Sequence, residues 1–108
     1  MSTVRPDSTP HLVPVWFVWL ENKIFICSGL KSVKLRNIKF NPHIICALED
    51  GVNPLVIEGK CIIYKSKEVF KEVIVLFKSK YDWDITKDED YDMIIEIIPT
   101  NLLMRRKQ

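Results

Sequence analysis

The sequence predicts a small, mostly antiparallel β-barrel with two inserted helices, and three observations point to this class. About five to six short runs of β-branched and aromatic residues are separated by turn residues, which is the pattern of strands joined by tight connections. Two further segments follow a serine and repeat apolar residues at helical spacing. The chain has 108 residues, 47% of them hydrophobic and 28% charged, which suits one globular domain and is too short for two. We therefore expect a single domain over residues 1–108.

The first twenty residues predict a hairpin followed by a longer strand. Residues 5–10 (RPDSTP) form a turn, since proline fixes φ and Asp7 can bond its own backbone, and residues 1–4 are the stub of the first strand. Residues 11–20 are almost continuously β-branched or aromatic, which predicts a strand covered on both faces. Pro14 cannot donate a ladder hydrogen bond. It therefore marks an edge, a bulge or a place where something other than a strand lies alongside.

The middle of the chain predicts three strands and a short helix. The strands cover residues 24–28, 44–48 and 55–64, and Ser32 caps a helix that runs to about Phe40 and stops at Asn41 and Pro42. The third strand alternates, so that Gly59 faces inward together with its apolar neighbours at odd positions.

The last forty residues predict a second helix and a final strand. Ser66 caps a longer helix with an apolar stripe at helical spacing, made of Phe70, Val73, Ile74, Phe77 and Tyr81. Residues 82–90 form a polar, acidic connection. Residues 91–98 alternate as a strand, Pro99 ends it, and residues 105–108 form a frayed tail.

Composition and cysteine usage indicate a cytoplasmic protein without a membrane segment. The net charge of +2 gives no global reason to expect nucleic acid, and no basic segment followed by a long apolar run begins the chain. The longest apolar stretch, residues 12–20, contains a proline and is too short to span a bilayer. Cys27, Cys46 and Cys61 each sit in an apolar run, so we expect buried, reduced thiols.

The strongest local arrangement for binding is a strand, a glycine loop and a helix that starts at a serine. Cys27 and Ser28 end the strand, Gly29 makes the loop, and the start of a helix offers free N–H groups to a phosphate. Lys31 and Lys34 add positive charge, and Ser32 adds a hydroxyl. The alternative is an ordinary capped surface helix.

Charge is distributed unevenly along the chain. Between Glu21 and Glu49 there is no acidic residue, whereas residues 82–96 hold seven acidic residues and one lysine. The first segment is expected to attract an anion and the second to repel one. The alternative is two solvated faces of opposite sign.

Other constellations are weaker. His11 and His43 lack partners at metal-ligand spacing, and no catalytic triad is suggested. The stretch 49–51 (EDG) is better explained as a turn than as a carboxylate pair for acid–base catalysis. Trp16 and Trp19 could stack on a nucleic-acid base, although a place in the core or at a subunit interface is more common for such residues.

Several of these residues lie in stretches that resemble the pyridoxamine 5'-phosphate oxidase-like split-barrel family, especially its flavin and deazaflavin oxidoreductase branches. The resemblance covers most of the chain, and its order and spacing carry the comparison. The matching stretches are residues 5–19 (RPDSTPHLVPVWFVW), 34–38 (KLRNI), 41–42 (NP), 56–59 (VIEG) and 97–100 (IIPT).

This resemblance implies an FMN-binding split barrel that forms a homodimer, with FMN or a deazaflavin coenzyme in a groove between subunits. Backbone groups near Val13, Pro14, Val15 and Trp16 would contact the isoalloxazine ring. Cys27 and Ser28 would lie near the ring or the ribityl chain. Lys34 matches the lysine that binds the cofactor phosphate, and Ser32 matches the loop serine.

The chain departs from the family pattern at four places. Val33 stands where relatives often have an arginine, which leaves Lys31 as a substitute phosphate ligand. Pro54 falls near a position where some relatives place a polar flavin contact. Relatives usually carry a helix before the first strand, and this sequence starts inside that strand, as expected of a truncated or a minimal version; Leu102 and Leu103 follow where relatives often have an aromatic residue.

The resulting functional hypothesis is a flavin- or deazaflavin-dependent oxidoreductase acting on a small-molecule substrate. The cofactor carries the hydride or electron chemistry, which accounts for the lack of an obvious acid, base or nucleophile. The alternatives are a non-catalytic flavin or deazaflavin carrier and a small-barrel interaction module. The substrate, and the choice between FMN and deazaflavin, cannot be read from the sequence.

Overall fold

One sheet of antiparallel strands makes up most of the computed structural model, which describes residues 1–48 and 55–105. Seven strands lie in these residues, in the order β2-β1-β5-β6-β7-β4-β3. Their bounds are β1 Ser2–Val4, β2 Pro10–Leu12, β3 Val18–Leu20, β4 Lys23–Ser28, β5 His43–Leu48, β6 Leu55–Tyr64 and β7 Met93–Arg105. The two edge strands, β2 and β3, are neighbours in sequence, so the short segment between them bridges the two ends of the sheet. The mainly β class with two helices, predicted from the sequence, is confirmed.

The predicted strand over residues 11–20 is wrong in its middle, because residues 13–17 form no strand. This segment is held at its ends. The Val13 amide donates to the carbonyl of Met1 at 3.0 Å, and the Phe17 amide donates to the Tyr81 hydroxyl at 3.0 Å. Pro14 lies between these anchors and has no N–H to donate to a neighbouring strand. At the Phe17 end, the backbone is therefore bonded by the Tyr81 side chain and not by another strand.

The two helices are α1, Val33–Phe40, and α2, Lys71–Tyr81. Ser32 caps α1 as predicted, its hydroxyl accepting the Leu35 amide at 3.1 Å. Ser66 was expected to cap the second helix, but it caps a separate 3₁₀ turn, Lys67–Val69, that precedes α2. The non-helical backbone of Phe70 separates the two pieces, so the predicted single helix is divided.

The last strand continues beyond the proline that was expected to end it. β7 runs to Arg105, and Pro99 lies opposite Gly59, next to a register shift between Glu58 and Gly59. An irregular position in a ladder tolerates a residue without an N–H, so Pro99 is accommodated at the bulge. The predicted tail is therefore strand as far as Arg105, and residues 106–108 lie outside the described residues, as do residues 49–51 and Pro54.

The sheet has a core on each face. The barrel interior contains Ile26, Ile95 and Ile97 from the centre of the sheet, together with Leu35 and Ile38 from α1. The opposite core lies under α2, where Val73 and Phe77 meet Phe25, Cys27 and Ile94. β4 and β7 contribute to both cores, so this part of the sheet is rigidly packed. Within the described residues, no helix has the length and apolar character needed to cross a membrane.

Candidate functional site

A cleft of about 520 Å³ opens where the bridging segment 13–17, β4 and α1 meet. We call it the ring cleft. Its lining residues are Val13, Pro14, Val15, Trp16, Cys27, Lys34, Trp83, Asp88 and Tyr91. Six of these nine residues were predicted from the sequence as cofactor contacts. These six come from three separate parts of the chain, which are the bridging segment, the end of β4 and the start of α1.

The bridging segment supplies one wall of the ring cleft and offers it unpaired backbone groups. The amides of Val15 and Trp16 have no hydrogen-bond partner among the described residues, whereas Val13 and Phe17 on either side are both bonded. Phe17 is further held by its carbonyl, which accepts from Lys80 at 2.8 Å. A fixed strip of backbone with free donors is suited to a planar ligand that carries polar edges.

Cys27 and Ser28 are separated by the alternation of β4. Cys27 points toward the α2 side and lines the ring cleft, and burial raises the pKa of its thiol to about 12. Ser28 is fully buried on the other face, and its hydroxyl lies 2.7 Å from that of Ser32. Ser28 thus supports the loop and does not line the ring cleft. Its predicted contact with a cofactor stays a prediction.

A second cleft, also about 520 Å³, surrounds the glycine loop and the start of α1. We call it the loop cleft. It is lined by Gly29, Leu30, Lys31, Ser32, Lys34, Glu89, Asp90, Tyr91 and Asp92. Lys34 and Tyr91 line both clefts, so the two are continuous at these side chains. Lys31 and Ser32, predicted as phosphate contacts, lie in the loop cleft.

Lys34 lies at the junction, in the first turn of α1. It is half-buried, and this loss of hydration lowers the pKa of its amine. No ion pair to Lys34 forms within residues 1–48 and 55–105. A partly desolvated cation without a carboxylate partner, beside a helix N-terminus, is suited to an anionic ligand.

Sequence reasoning missed Trp83, Asp88 and Tyr91, which complete the lining of the ring cleft, and the Trp83 ring meets that of Trp16 edge-on at 5.7 Å. The Trp83 indole donates to the Asp88 carboxylate at 3.0 Å, and its ring meets that of Tyr91 edge-on at 5.1 Å. Lys67 donates to the backbone carbonyl of Asp88 at 2.8 Å and also bonds that of Ile85. The aromatic residues that interrupt the acidic run were the available signal, but an acidic connection was not expected to border an anion site.

The acidic segment, residues 82–96, and the glycine loop, residues 29–31, are neighbours in the fold and not separate solvated faces. Asp92 accepts the Leu30 amide at 3.1 Å, which joins the two segments directly. Trp16 also has a partner within the chain, since its ring stacks on Tyr81 at 4.5 Å with the planes nearly parallel. Trp16 is nevertheless 56% exposed, so much of its surface remains open.

Neither histidine lines the ring cleft or the loop cleft. Over the described parts of the chain, no three histidine, cysteine, aspartate or glutamate side chains gather as metal ligands would. The chemistry of these clefts rests on an amine, an aromatic wall and backbone amides, which is a set for binding and orienting a ligand.

Comparison with known proteins identifies the fold and the family. A family model described as pyridoxamine 5'-phosphate oxidase matches residues 1–103. Among solved structures, an F420 reductase is 26% identical, with a TM-score of 0.74 over 94% of this chain and 84% of that chain. No curated protein sequence gives a significant match.

Two more distant structures share the fold. A putative pyridoxamine 5'-phosphate oxidase from Listeria innocua is 20% identical, with a TM-score of 0.70 over 94% of this chain and 84% of its own. The heme storage protein HutZ from Vibrio cholerae is 17% identical, with a TM-score of 0.76 over 96% of this chain and 82% of its own.

Proposed function

Since the chain belongs to the pyridoxamine 5'-phosphate oxidase family, we propose that it binds FMN or a deazaflavin coenzyme in the ring cleft and uses it as an oxidoreductase. One observation carries this proposal. The bridging segment, Cys27 and Lys34 were selected from the sequence as cofactor contacts, and all of them line a single cleft. The F420 reductase among the structural neighbours supports the same class of cofactor.

The residues present fit such a cofactor. The bridging segment offers the free amides of Val15 and Trp16 and an apolar surface to a planar ring, and Trp83 and Tyr91 add aromatic surface to the same cleft. Lys34 and the start of α1 are suited to the phosphate. When bound, the cofactor supplies the hydride or electron transfer, while the protein positions the ring and limits its contact with water.

Haem is a poorer match to these clefts, although one structural neighbour stores it. That protein is 17% identical, which supports a shared fold only. Haem iron is usually held by histidine, cysteine, methionine or tyrosine. Among the described residues, His11 and His43 line neither cleft, burial keeps the Cys27 thiol protonated by raising its pKa to about 12, and Tyr91 is the one remaining side chain of these ligand types in the lining. The free amides of the bridging segment and the amine of Lys34 are better suited to the polar ring edge and phosphate of a flavin.

Titration of the purified protein with FMN and with a deazaflavin coenzyme tests the proposal. We expect saturable binding of at least one of them, with a perturbed absorbance spectrum and quenched ring fluorescence, because Trp83 and Tyr91 lie in the cleft wall. Reduction of the bound ring followed by reoxidation with small-molecule acceptors then tests turnover. Absence of binding would contradict the whole proposal, and binding without turnover would contradict only the enzymatic part.

We further propose that the protein is a homodimer whose partner subunit covers part of this site. Large apolar side chains are widely exposed in the single chain, among them Leu12 at 78%, Phe40 at 62% and Trp16 at 56%. A partner subunit that covers such side chains would remove their apolar surface from water. Light scattering at micromolar concentration is expected to give twice the mass of the chain. A monomer that still binds cofactor would show that no shared groove is needed.

A further inference from the structure

The two clefts define a path for a long ligand. Lys34 borders both clefts, so a ring bound in the ring cleft with its phosphate at Lys34 would have that phosphate at the junction of the two. Any group attached beyond the phosphate then enters the loop cleft. FMN ends at a phosphate monoester, whereas a deazaflavin coenzyme continues through a phosphodiester into an oligoglutamate tail. The charges of the loop cleft therefore bear on which cofactor fits.

The acidic segment is packed tightly against the glycine loop. A Cβ at Gly29 would lie 2.6 Å from the backbone oxygen of Asp90, so only glycine permits this approach. The Asp92 carboxylate already accepts the Leu30 amide at 3.1 Å. The Leu30 amide is thus already bonded within the chain. The Asp92 carboxylate occupies the position in which an anionic tail would otherwise accept that hydrogen bond.

Negative charge exceeds positive charge in the loop cleft. Its lining includes Lys31 and Lys34 on one side and Glu89, Asp90 and Asp92 on the other. The side chains of Glu89 and Asp90 are exposed and form no ion pair within residues 1–48 and 55–105. The two lysines can balance the charge of one phosphate group. No further positive charge in the lining is then left to neutralise the carboxylates of a tail, which would lie beside the three carboxylates of the cleft.

From this charge balance we propose that the loop cleft selects a cofactor that ends in a single phosphate and rejects one with a polyanionic tail. The inference rests on the proposed binding of a flavin-type ring, and it adds the discriminating element, which is the pair Glu89 and Asp90. These residues act through repulsion, as specificity elements often do. FMN is then the preferred natural cofactor, and a deazaflavin ring is accepted when its tail is absent.

The test compares two ligands with the same ring, a deazaflavin 5'-phosphate and the deazaflavin coenzyme with its oligoglutamate tail. Fluorescence titration at low salt is expected to show that the tail weakens binding by about tenfold, and high salt should reduce this difference by screening the charges. The variant Glu89→Gln/Asp90→Asn keeps the side-chain shapes and should recover about three- to tenfold of the affinity for the tailed coenzyme.

The matched control is Glu68→Gln/Glu72→Gln, which removes the same charge from exposed residues that line neither cleft. It should leave the difference between the two ligands unchanged. Tighter binding of the tailed coenzyme, or equal effects of the two double variants, would overturn the charge selection while leaving ring binding intact. If neither ligand nor FMN binds, the proposed function itself fails, and this inference falls with it.

Discussion

Replacing Lys34 with alanine is expected to weaken FMN binding about ten- to a hundredfold, since a lysine–phosphate contact contributes roughly 1.5–3 kcal/mol when partly shielded. Lys34 stands at the junction of the ring cleft and the loop cleft, in the first turn of α1. Partial burial already lowers the pKa of its amine, and no carboxylate of the described chain pairs with it. A bound phosphate would therefore be its main partner.

Two comparisons make this result specific to the phosphate. Riboflavin lacks the phosphate, so it should bind wild type and Lys34→Ala almost equally. Lys39→Ala removes the same charge from the last turn of the same helix, at an exposed position outside both clefts, and should change FMN affinity little. Lys34→Ala should also flatten the salt dependence of FMN binding. Equal losses of FMN affinity in both variants, or no loss in either, would contradict the phosphate contact of Lys34 and show that the basic segment is only a solvated surface.

The parts of the fold that were predicted correctly depend on local signals. The strand from Leu55 to Tyr64 has the expected bounds because its alternation is clear. The helix capped by Ser32 ends at Phe40 because Asn41 and Pro42 follow it. In both cases, neighbouring residues contain the information, and distant contacts do not override it.

The incorrect predictions concern places where a distant residue decides. The strand expected across Pro14 breaks because Tyr81, far along the chain, bonds the backbone of Phe17. The strand expected to end at Pro99 continues because a register shift beside Gly59 accepts a proline. A proline marks an irregular position in a sheet, but its sequence context does not show whether the sheet stops there or only bends.

The candidate site was predicted on one side only. Family resemblance and the glycine loop pointed to the bridging segment and to Lys34, which do share a cleft. The rest of the lining, with Trp83 and Asp88, comes from the acidic connection. From the charge pattern alone, the acidic connection is expected to lie away from an anion site at the glycine loop. In the fold the two are joined by the hydrogen bond from the Leu30 amide to Asp92. The proximity of opposite charges depends on β4 and β7 pairing, which no local pattern reveals.

The Gly59→Val variant is expected to lower the free energy of unfolding by a few kcal/mol, in the upper range for overpacking. Gly59 is buried at the centre of β6, on the face that the alternation of the strand predicts. A Cβ there would lie 2.7 Å from Cγ2 of Ile97 and 3.1 Å from the backbone oxygen of Ile98. The first distance is shorter than real side chains adopt, and the second involves backbone that cannot move without disturbing the β6–β7 ladder at Pro99.

Denaturant unfolding of Gly59→Val and Lys60→Val measures this effect with a matched control. Both variants introduce the same β-branched residue one position apart on β6, but Lys60 is exposed on the outer face. Lys60→Val should therefore change the free energy of unfolding by no more than about 0.5 kcal/mol, as surface substitutions usually do. An unchanged midpoint for Gly59→Val, or a larger loss for Lys60→Val, would place Gly59 on the wrong face of the strand. The expected difference would show that Gly59 faces the packed interior, where Ile97 and the backbone of Ile98 leave no room for a side chain.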